Sequence, residues 1–431
     1  MKNISKFQLI VLGVFAAFFI IGILVFAMAR SGSRTAVIEV LMWGAMPRNQ
    51  FAEVLKATGL DQNEEIKISY EEKRPETFDQ ELLEALAKDA GPDLFFVSSD
   101  NLLKQKQRIF AVPLASFSER DFKKSFIEGA EVFLSEEGVW ALPISIDPMV
   151  MYWNRDIFTF AGLIEPPSFW DEFYDISSAL TRRDPNFNIT RSALALGEFT
   201  NINHAFEILS LLIMQAGNPI AEKKSNGVLT STLDEARGLP ALPAERALSF
   251  YTEFSNPLKP FYSWNRALPK SKDFFVAGDL AIYLGFASEL FEIRDRNPNL
   301  NFDVALIPQA ESVNNRIVYG KMEGLAISNR SRNIAGAFRV ASILSGQDNS
   351  RAFSQIRNLP PARRDLLSLR PERAFMETFY QSAVISKTWP VPDKTRVSNI
   401  FRNMIESVTG GRAVVRDAVQ RAHQELNLIL R

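Results

Sequence analysis

The chain contains no cysteine. That absence removes disulfides, thiolate metal ligands, thiol nucleophiles and thioether attachment of lipid in one step. Histidine is almost as scarce: His204 and His423 are the only two and lie far apart, so a His-based metal site or a Ser-His-Asp triad lacks parts. Neither sign of charge prevails, with 49 Lys and Arg against 50 Asp and Glu, which gives no electrostatic reason to expect a nucleic-acid partner. A phosphate-cradling glycine loop, a dinucleotide fingerprint, internal repeats and low-complexity tracts are all missing.

What is there is the composition of a globular protein. At 46% hydrophobic and 23% charged residues, disorder is not expected. The 431 residues exceed what one simple core organises and suit two lobes. One long apolar run stands at the start: residues 7–29, with Gln8 as the only strongly polar member, lie between Lys2 and Lys6 on one side and Arg30 and Arg34 on the other. As a helix this run reaches about 30 Å, enough to cross a bilayer core. Residues 1–35 are therefore expected to form a membrane segment with one transmembrane helix. Ala27-Met28-Ala29 offers a small-x-small cleavage site, so a cleaved signal peptide is the alternative. A run longer than the roughly 7–15 residues of a signal core favours an uncleaved anchor. Charge on the two flanks is nearly balanced and says little about orientation.

From residue 36 onward strands and helices alternate, which argues for α/β layers. Strands are expected over 37–42, 66–70 and 94–97, and helices over 50–58, 78–90 and 206–216. Within 78–90, Phe78, Leu82, Leu83 and Leu86 share a face, and Gly91-Pro92 ends the helix. Two positions follow strand ends, where α/β sheets bind ligands: Trp43 and Ser98-Ser99-Asp100. Residues 141–146 and 149–153 read as two short buried strands split by a turn at Asp147-Pro148, because Pro148 lacks an N–H. The stretch 223–243 is polar and rich in glycine and proline, as a surface insertion would be. After Thr409-Gly410-Gly411, a last helix puts Val415, Val419, Ala422 and Leu426 on one face.

The segment EGVWALPISIDPMVMYWNRDIFTFAGLIEPPSFWDEFY, residues 137–174, contains A-x-P, a strand ending in Trp153-Asn154, then Arg-Asp-Ile-Phe, Ala-Gly-Leu and Pro-Pro-x-x-Trp-Asp-Glu-Phe. In that order these motifs resemble the extracellular solute-binding proteins of ABC importers, and among them the carbohydrate-binding group that includes maltose-binding protein. DFFVAGDLAIYLGF at 273–286 resembles the family's F-x-x-G-x-x-A-M, with Ile282 where Met is usual. FDVALIP at 302–308, GKMEGLAIS at 320–328, the Pro-rich stretch 358–366 and the Gly break before the last helix follow in family order. The resemblance thus spans nearly all of residues 36–431.

It implies a type II periplasmic-binding-protein fold: two α/β lobes joined by crossovers near Pro143, Val313 and Pro361, with a ligand cleft between them. Lobe I would comprise 36–143 with 313–361, and lobe II 144–312 with 362–431. It further implies capture of a carbohydrate by hinge-bending closure and delivery to ABC transporter permease subunits, without a cofactor, by a monomer on the extracytoplasmic side of the cell membrane. Related proteins bind peptides, polyols and glycerol phosphate esters on the same scaffold. Gram-positive relatives are commonly lipoproteins held through a cysteine that this chain lacks, so the N-terminal helix would take the anchor's role. A membrane-tethered sensor or scaffold without transport is the alternative.

Sugar recognition needs carboxylates and amides for hydroxyl groups and aromatic faces for the apolar faces of the ring. The resemblance points to Asp100 after GPDLFFVSS, Asp147 after A-x-P, and Glu198 in LGEFTNINHAFEIL, with Asn201 beside it. Trp43 is the expected stacker, since a Trp after a first strand has little core to occupy. Trp264 in PFYSWNRALP stands at the family's pre-helix aromatic, and Phe286 ends a strand, where core packing is the safer reading for the chain's commonest aromatic. Lys321-Met322-Glu323 departs from the small residues usual at that turn, so Glu323 is expected to narrow the cleft or bridge across it. Each carboxylate also has a plainer role: Asp100 as a helix cap, Asp147 as a turn former, Glu198 as a solvated loop charge. Trp140, Trp153 and Trp170 read as hinge or core. Asp100 with Asp147 could in principle form a glycosidase pair, but the resemblance is to binding proteins and catalysis is not expected.

Overall fold

The computed structural model describes residues 37–225, 227–311 and 316–430. The apolar run at 7–29 and the crossover expected near Val313 lie outside the described residues. Among those described, no helix is long and apolar enough to cross a membrane.

Strands β1 (Ile38–Gly44), β2 (Ile66–Glu72) and β3 (Leu94–Ser98) pair in parallel with β1 in the middle. Parallel neighbours need a crossover, and α1 (Arg48–Ala57) and α2 (Phe78–Ala87) supply it. Helix α2 buries Leu82 and Leu86 but exposes Leu83, which was expected on the same face. A rotation of about 100° per residue carries Leu83 off the stripe that faces the sheet. The helix also stops before residue 90, because Asp89 adopts a left-handed φ of 51°.

β4 (Leu142–Asn154) corrects the expected pair of short strands: its 13 residues form one continuous strand through Asp147-Pro148. The rest of the sheet explains why, built from β5 (Ile189–Leu194), β6 (Leu280–Phe286), β7 (Phe302–Ala305) and β8 (Val318–Ile327). The first half of β4 pairs antiparallel with β8 as far as Pro148, and the second half pairs with β6 from Met149 and with β7 from Met151. Pro148 therefore falls where the strand exchanges one set of partners for another, a position that tolerates a missing donor. The sheet order is β2-β1-β3-β8-β4-β6-β5, ending on the short strand Arg182–Arg183.

Two hydrophobic cores divide along this sheet. The first contains β1 to β3, β4 through Ile146, and β8 from Met322. The second takes β4 from Met149, β5, β6 and Val318-Tyr319 of β8. Helix α3 (Ala205–Gln215) lies in the second core with every residue buried, as expected for a helix apolar on nearly all sides. Helices α4 (Gln347–Arg357) and α5 (Arg364–Leu367) follow β8, then α6 (Ala374–Val384), the two-residue strand β9 (Ser386–Lys387), α7 (Lys394–Thr409) and α8 (Val415–Ile429). Through 358–376 the chain passes between cores again, with Leu367 packed in the first and Met376 in the second. Helix α8 buries Val419, Ala422 and Leu426 on the expected face, with Val415 only half-buried. The stretch 223–243 is mostly exposed, although Ser231, Thr232 and Leu233 are buried within it.

Candidate functional site

At the end of β3 the Ser98 hydroxyl accepts the Asp100 N–H at 3.3 Å, so Ser98, and not Asp100, caps the following turn. The Asp100 carboxylate is left for other partners. Only 3% exposed, it accepts from Lys394 Nζ at 2.6 Å and from the Tyr319 hydroxyl at 3.3 Å. The same Lys394 Nζ lies 3.0 Å from Glu207 Oε1, and Lys321 Nζ lies 3.7 Å from that oxygen. Asp100 continues from a first-core strand, whereas Glu207 and Lys394 stand on second-core helices, so one half-buried lysine ties the two cores together. Burial alone would raise the Glu207 carboxyl, but Lys394, Lys321 and His204 outweigh it and hold the group at about 2. Burial would lower Lys394; Asp100 and Glu207 outweigh that in turn and hold it above the usual lysine range.

Lys321 stands opposite Asp147 in the β4–β8 register, with its ammonium 3.5 Å from the centre of the Phe286 ring. Phe286 itself is buried. Asp147 forms no turn; from inside β4 its carboxylate accepts the Ser288 N–H at 2.9 Å and the Ser288 hydroxyl at 2.6 Å. Burial pushes its pKa up. Glu323 pairs with Arg357 at the end of α4 and accepts the Ser145 hydroxyl at 3.4 Å. All three stand on first-core elements, so Glu323 does not bridge the cores. Below this layer His204, at a left-handed φ of 61°, reaches Glu289 through Nε2 at 3.1 Å. Glu289 also accepts from the Tyr283 hydroxyl at 3.0 Å and the Phe286 N–H at 2.9 Å. Burial would raise Glu289, but His204, the Phe286 N–H and Lys272 bring it to about 2.

Both Glu207 and Glu289 are thus lowered from 4.5 in the folded state. A carboxylate lowered on folding stabilises above its unfolded pKa, and that contribution is lost as pH falls through the folded value. The unfolding free energy is expected to fall between about pH 5 and about pH 2, by on the order of 3 kcal/mol for each of the two groups. Urea unfolding at a series of pH values measures this, with Glu207→Gln removing its share of the slope. A flat profile over that interval would contradict the network.

The remaining expected residues lie elsewhere. Glu198 is 7% exposed rather than solvated, and takes Arg266 Nε at 2.6 Å. Asn201 accepts the Trp264 indole N–H at 3.1 Å and donates to the carbonyls of Asn265 and Leu268 at 2.8 and 3.0 Å. Trp264 is fully buried against Phe274. These three residues brace loops of the second core and make no contact with the Asp100 network. Trp43 does have a core to occupy: it is 5% exposed, packed in the first core with Lys73 Nζ 3.8 Å from its ring centre. Trp170 is core as expected, donating to Gln215 at 2.5 Å. Sequence reading missed Lys394 and Glu207. The signal for Glu207 was a lone charge inside AFEILSLLIMQ, where only a paired carboxylate can be buried. Lys394 carries no such signal, because its partners come from distant parts of the chain.

Beside this network a cavity of about 770 Å³ opens between the cores. Ser99, Leu102, Lys106 and Trp140 line it from the first core's side, and Lys223, Leu229 and Pro390 from the other. Trp140 is half-exposed, with Lys106 Nζ 4.6 Å from its ring centre. Lys223 reaches Glu136 across the gap at 2.9 Å. The site offers an aromatic ring, aliphatic walls and charged groups of both signs. Among the described residues no group of three or more His, Asp or Glu is arranged to hold a metal ion.

Solved structures share this architecture. A cyclo/maltodextrin-binding protein complexed with maltotetraose aligns over 92% of this chain and 98% of its own, with a TM-score of 0.73 at 15% identity. The cyclic alpha-maltosyl-1,6-maltose binding protein of Arthrobacter globiformis gives 0.75 at 16% identity, over 92% and 99% of the two chains. The sugar-binding protein MalE of Xanthomonas citri gives 0.73 at 20% identity, over 91% and 97%. At such identities the likeness concerns the fold. Binding proteins of Brucella abortus and Brucella suis are 24% identical over 417 residues, covering 93% of this chain and 96% of theirs. The family profile described as bacterial extracellular solute-binding protein matches residues 48–349. The two-core α/β fold and the match over most of its length agree: this chain belongs to the bacterial extracellular solute-binding protein family.

Proposed function

We propose that the protein captures a carbohydrate on the extracytoplasmic side of the membrane and delivers it to the permease of an ABC importer. The observation that carries this reading is the cavity of about 770 Å³ lined from both cores, with Trp140 among its walls. That volume suits a small oligosaccharide. An aromatic ring beside paired charges is the combination that hydroxylated rings require. Solved relatives of the same fold hold maltotetraose and other sugars, which supports the ligand class.

In this reading the two cores act as lobes, and β4 and β8 pass between them at Asp147-Pro148 and Gly320-Lys321. Ligand contacts made by both lobes would favour the closed arrangement. In this reading Ser99 and Trp140 touch the sugar directly. Asp100, next to Ser99, serves through Lys394, and Asp147, Phe286 and Glu323 hold the crossover. Trp43, Glu198, Asn201 and Trp264 support the lobes from within. Residues 7–29 tether the protein to the membrane.

The test is a thermal-shift screen of the purified protein against mono- and oligosaccharides, polyols, sugar phosphates and peptides. A ligand at about 100 times its dissociation constant stabilises by roughly 2.7 kcal/mol. A sugar hit that Trp140→Ala weakens about tenfold is the expected result. No shift across the panel would argue against a sugar receptor.

A further inference from the structure

A second cavity, of about 590 Å³, lies away from the one between the cores and shares no residue with it. Its walls come from α4, the stretch between α4 and α5, α5, the segment joining α5 to α6, and the first two turns of α6. Three arginines line it: Arg351 on α4, Arg370 in the joining segment, and Arg373 at the start of α6. Glu372 is the only acidic residue among its lining groups, so the walls carry two positive charges in excess. Neither Arg351 nor Arg370 has an ion-pair partner among the described residues, and Arg373 is held only by the side-chain oxygen of Asn358. Leu366, Leu369, Met376 and Tyr380 supply an apolar wall, with Leu369 half-exposed to the opening.

All three guanidinium groups are exposed at the rim, and among the described residues none has a carboxylate partner. Their planar donor forks fit the oxygens of phosphate and carboxylate. Leu369 and Met376 beside them offer contact to something that is not only an anion. The volume lies within the range of sites for small organic molecules.

We propose that this cavity is a binding site for a small organic phosphomonoester: Arg351, Arg370 and Arg373 hold the phosphate, and Leu369, Met376 and Tyr380 cover an apolar substituent. The site differs from the sugar cavity in place and in charge, and it stands whether or not the sugar reading does. Asn358, whose left-handed φ of 54° ends α4, orients the Arg373 guanidinium toward its position on the rim.

Isothermal titration of the full-length protein with phenyl phosphate tests it. The expected result is saturable binding at one site, tighter than inorganic phosphate because the ring adds apolar contact. The double variant Arg370→Gln/Arg373→Gln should weaken phenyl phosphate by at least about tenfold, since it removes two charge-assisted donors to the phosphate. Both positions are exposed, and an unchanged thermal midpoint of the variant confirms that it folds. Trp140→Ala, in the other cavity, should leave the titration unchanged. The proposal is overturned if the wild-type protein shows no saturable binding, if the double variant binds as the wild type does, or if Trp140→Ala is the change that abolishes binding. A failed sugar screen would leave this result untouched, and the reverse also holds.

Discussion

Lys394→Met is expected to lower the unfolding free energy by about 3–5 kcal/mol, the usual cost of leaving buried charge without its partner. The ammonium it removes lies 2.6 Å from Asp100 and 3.0 Å from Glu207, which are 3% and 4% exposed. Methionine preserves most of the side-chain length, so packing loss is small beside the electrostatic one. Glu207 would keep Lys321 at 3.7 Å and the more distant His204, and Asp100 only the Tyr319 hydroxyl.

The pH dependence of the variant identifies the cause. In the wild type Glu207 is held at about 2, so its contribution is lost on acidification. Without Lys394, Glu207 loses the largest of the charges that lower it, so burial offsets more of what Lys321 and His204 still supply. The acid loss of stability between about pH 5 and about pH 2 should then be smaller in the variant than in the wild type. Urea unfolding at pH 7, pH 5 and pH 3 reads both effects. Adding Asp100→Asn and Glu207→Gln to the variant should restore much of the loss, because neutral amides need no counter-charge. A cost below about 1 kcal/mol, with the acid slope unchanged, would show that the bridge is solvated and carries little stability.

The parts of this architecture that were legible in sequence are those set by local pattern. Strands β1 to β3 and helix α3 announce themselves by apolar runs, and the last helix by the spacing of Val419, Ala422 and Leu426. The order of motifs from 137 to 428 carried the family. The misplaced features depend on distant segments. Pro148 looked like a turn because a proline breaks a ladder, and only the exchange of partners from β8 to β6 makes it acceptable inside a strand. Trp43 looked exposed because nothing in its neighbourhood predicts Lys73 lying over its ring. Trp264 stands out in sequence as the family's pre-helix aromatic and Asn201 as the amide beside Glu198, but the two satisfy one another at 3.1 Å. Asp100 reads in sequence as a ligand carboxylate or a helix cap, and the cap is made by Ser98 instead. The partners of Asp100, Lys394 and Tyr319, lie more than two hundred residues away and could not be paired with it by spacing.

Gly129→Ala should separate binding from folding, and it tests closure directly. Gly129 lies in the turn Glu128–Phe133 of the first core, buried against β9, which pairs with the second-core end of β8. A Cβ there would stand 2.6 Å from the Ser386 carbonyl oxygen and 3.5 Å from the Met322 side chain. The first distance is too short for any real contact, and the obstacle is backbone rather than the end of a flexible side chain. Gly129 is not at positive φ, so alanine adds no backbone strain of its own, and the conflict is purely steric. Next to it Glu128 meets Lys387 at 2.8 Å, which fixes the same two segments against each other. Overpacking of this kind costs about 1–3 kcal/mol. If the two cores separate in the unliganded protein, the variant avoids that cost by opening and unfolds at nearly the wild-type denaturant concentration. A sugar that requires both cores must then restore the contact, and its affinity should fall by about tenfold to a hundredfold. Small-angle scattering with saturating sugar should likewise show the variant less compact than the wild type. Equal affinity in the two proteins would mean that the ligand binds without drawing the cores together. A large loss of stability with unchanged affinity would mean that Gly129 is packed in a permanent interface, and the hinge-closure mechanism would have to be abandoned.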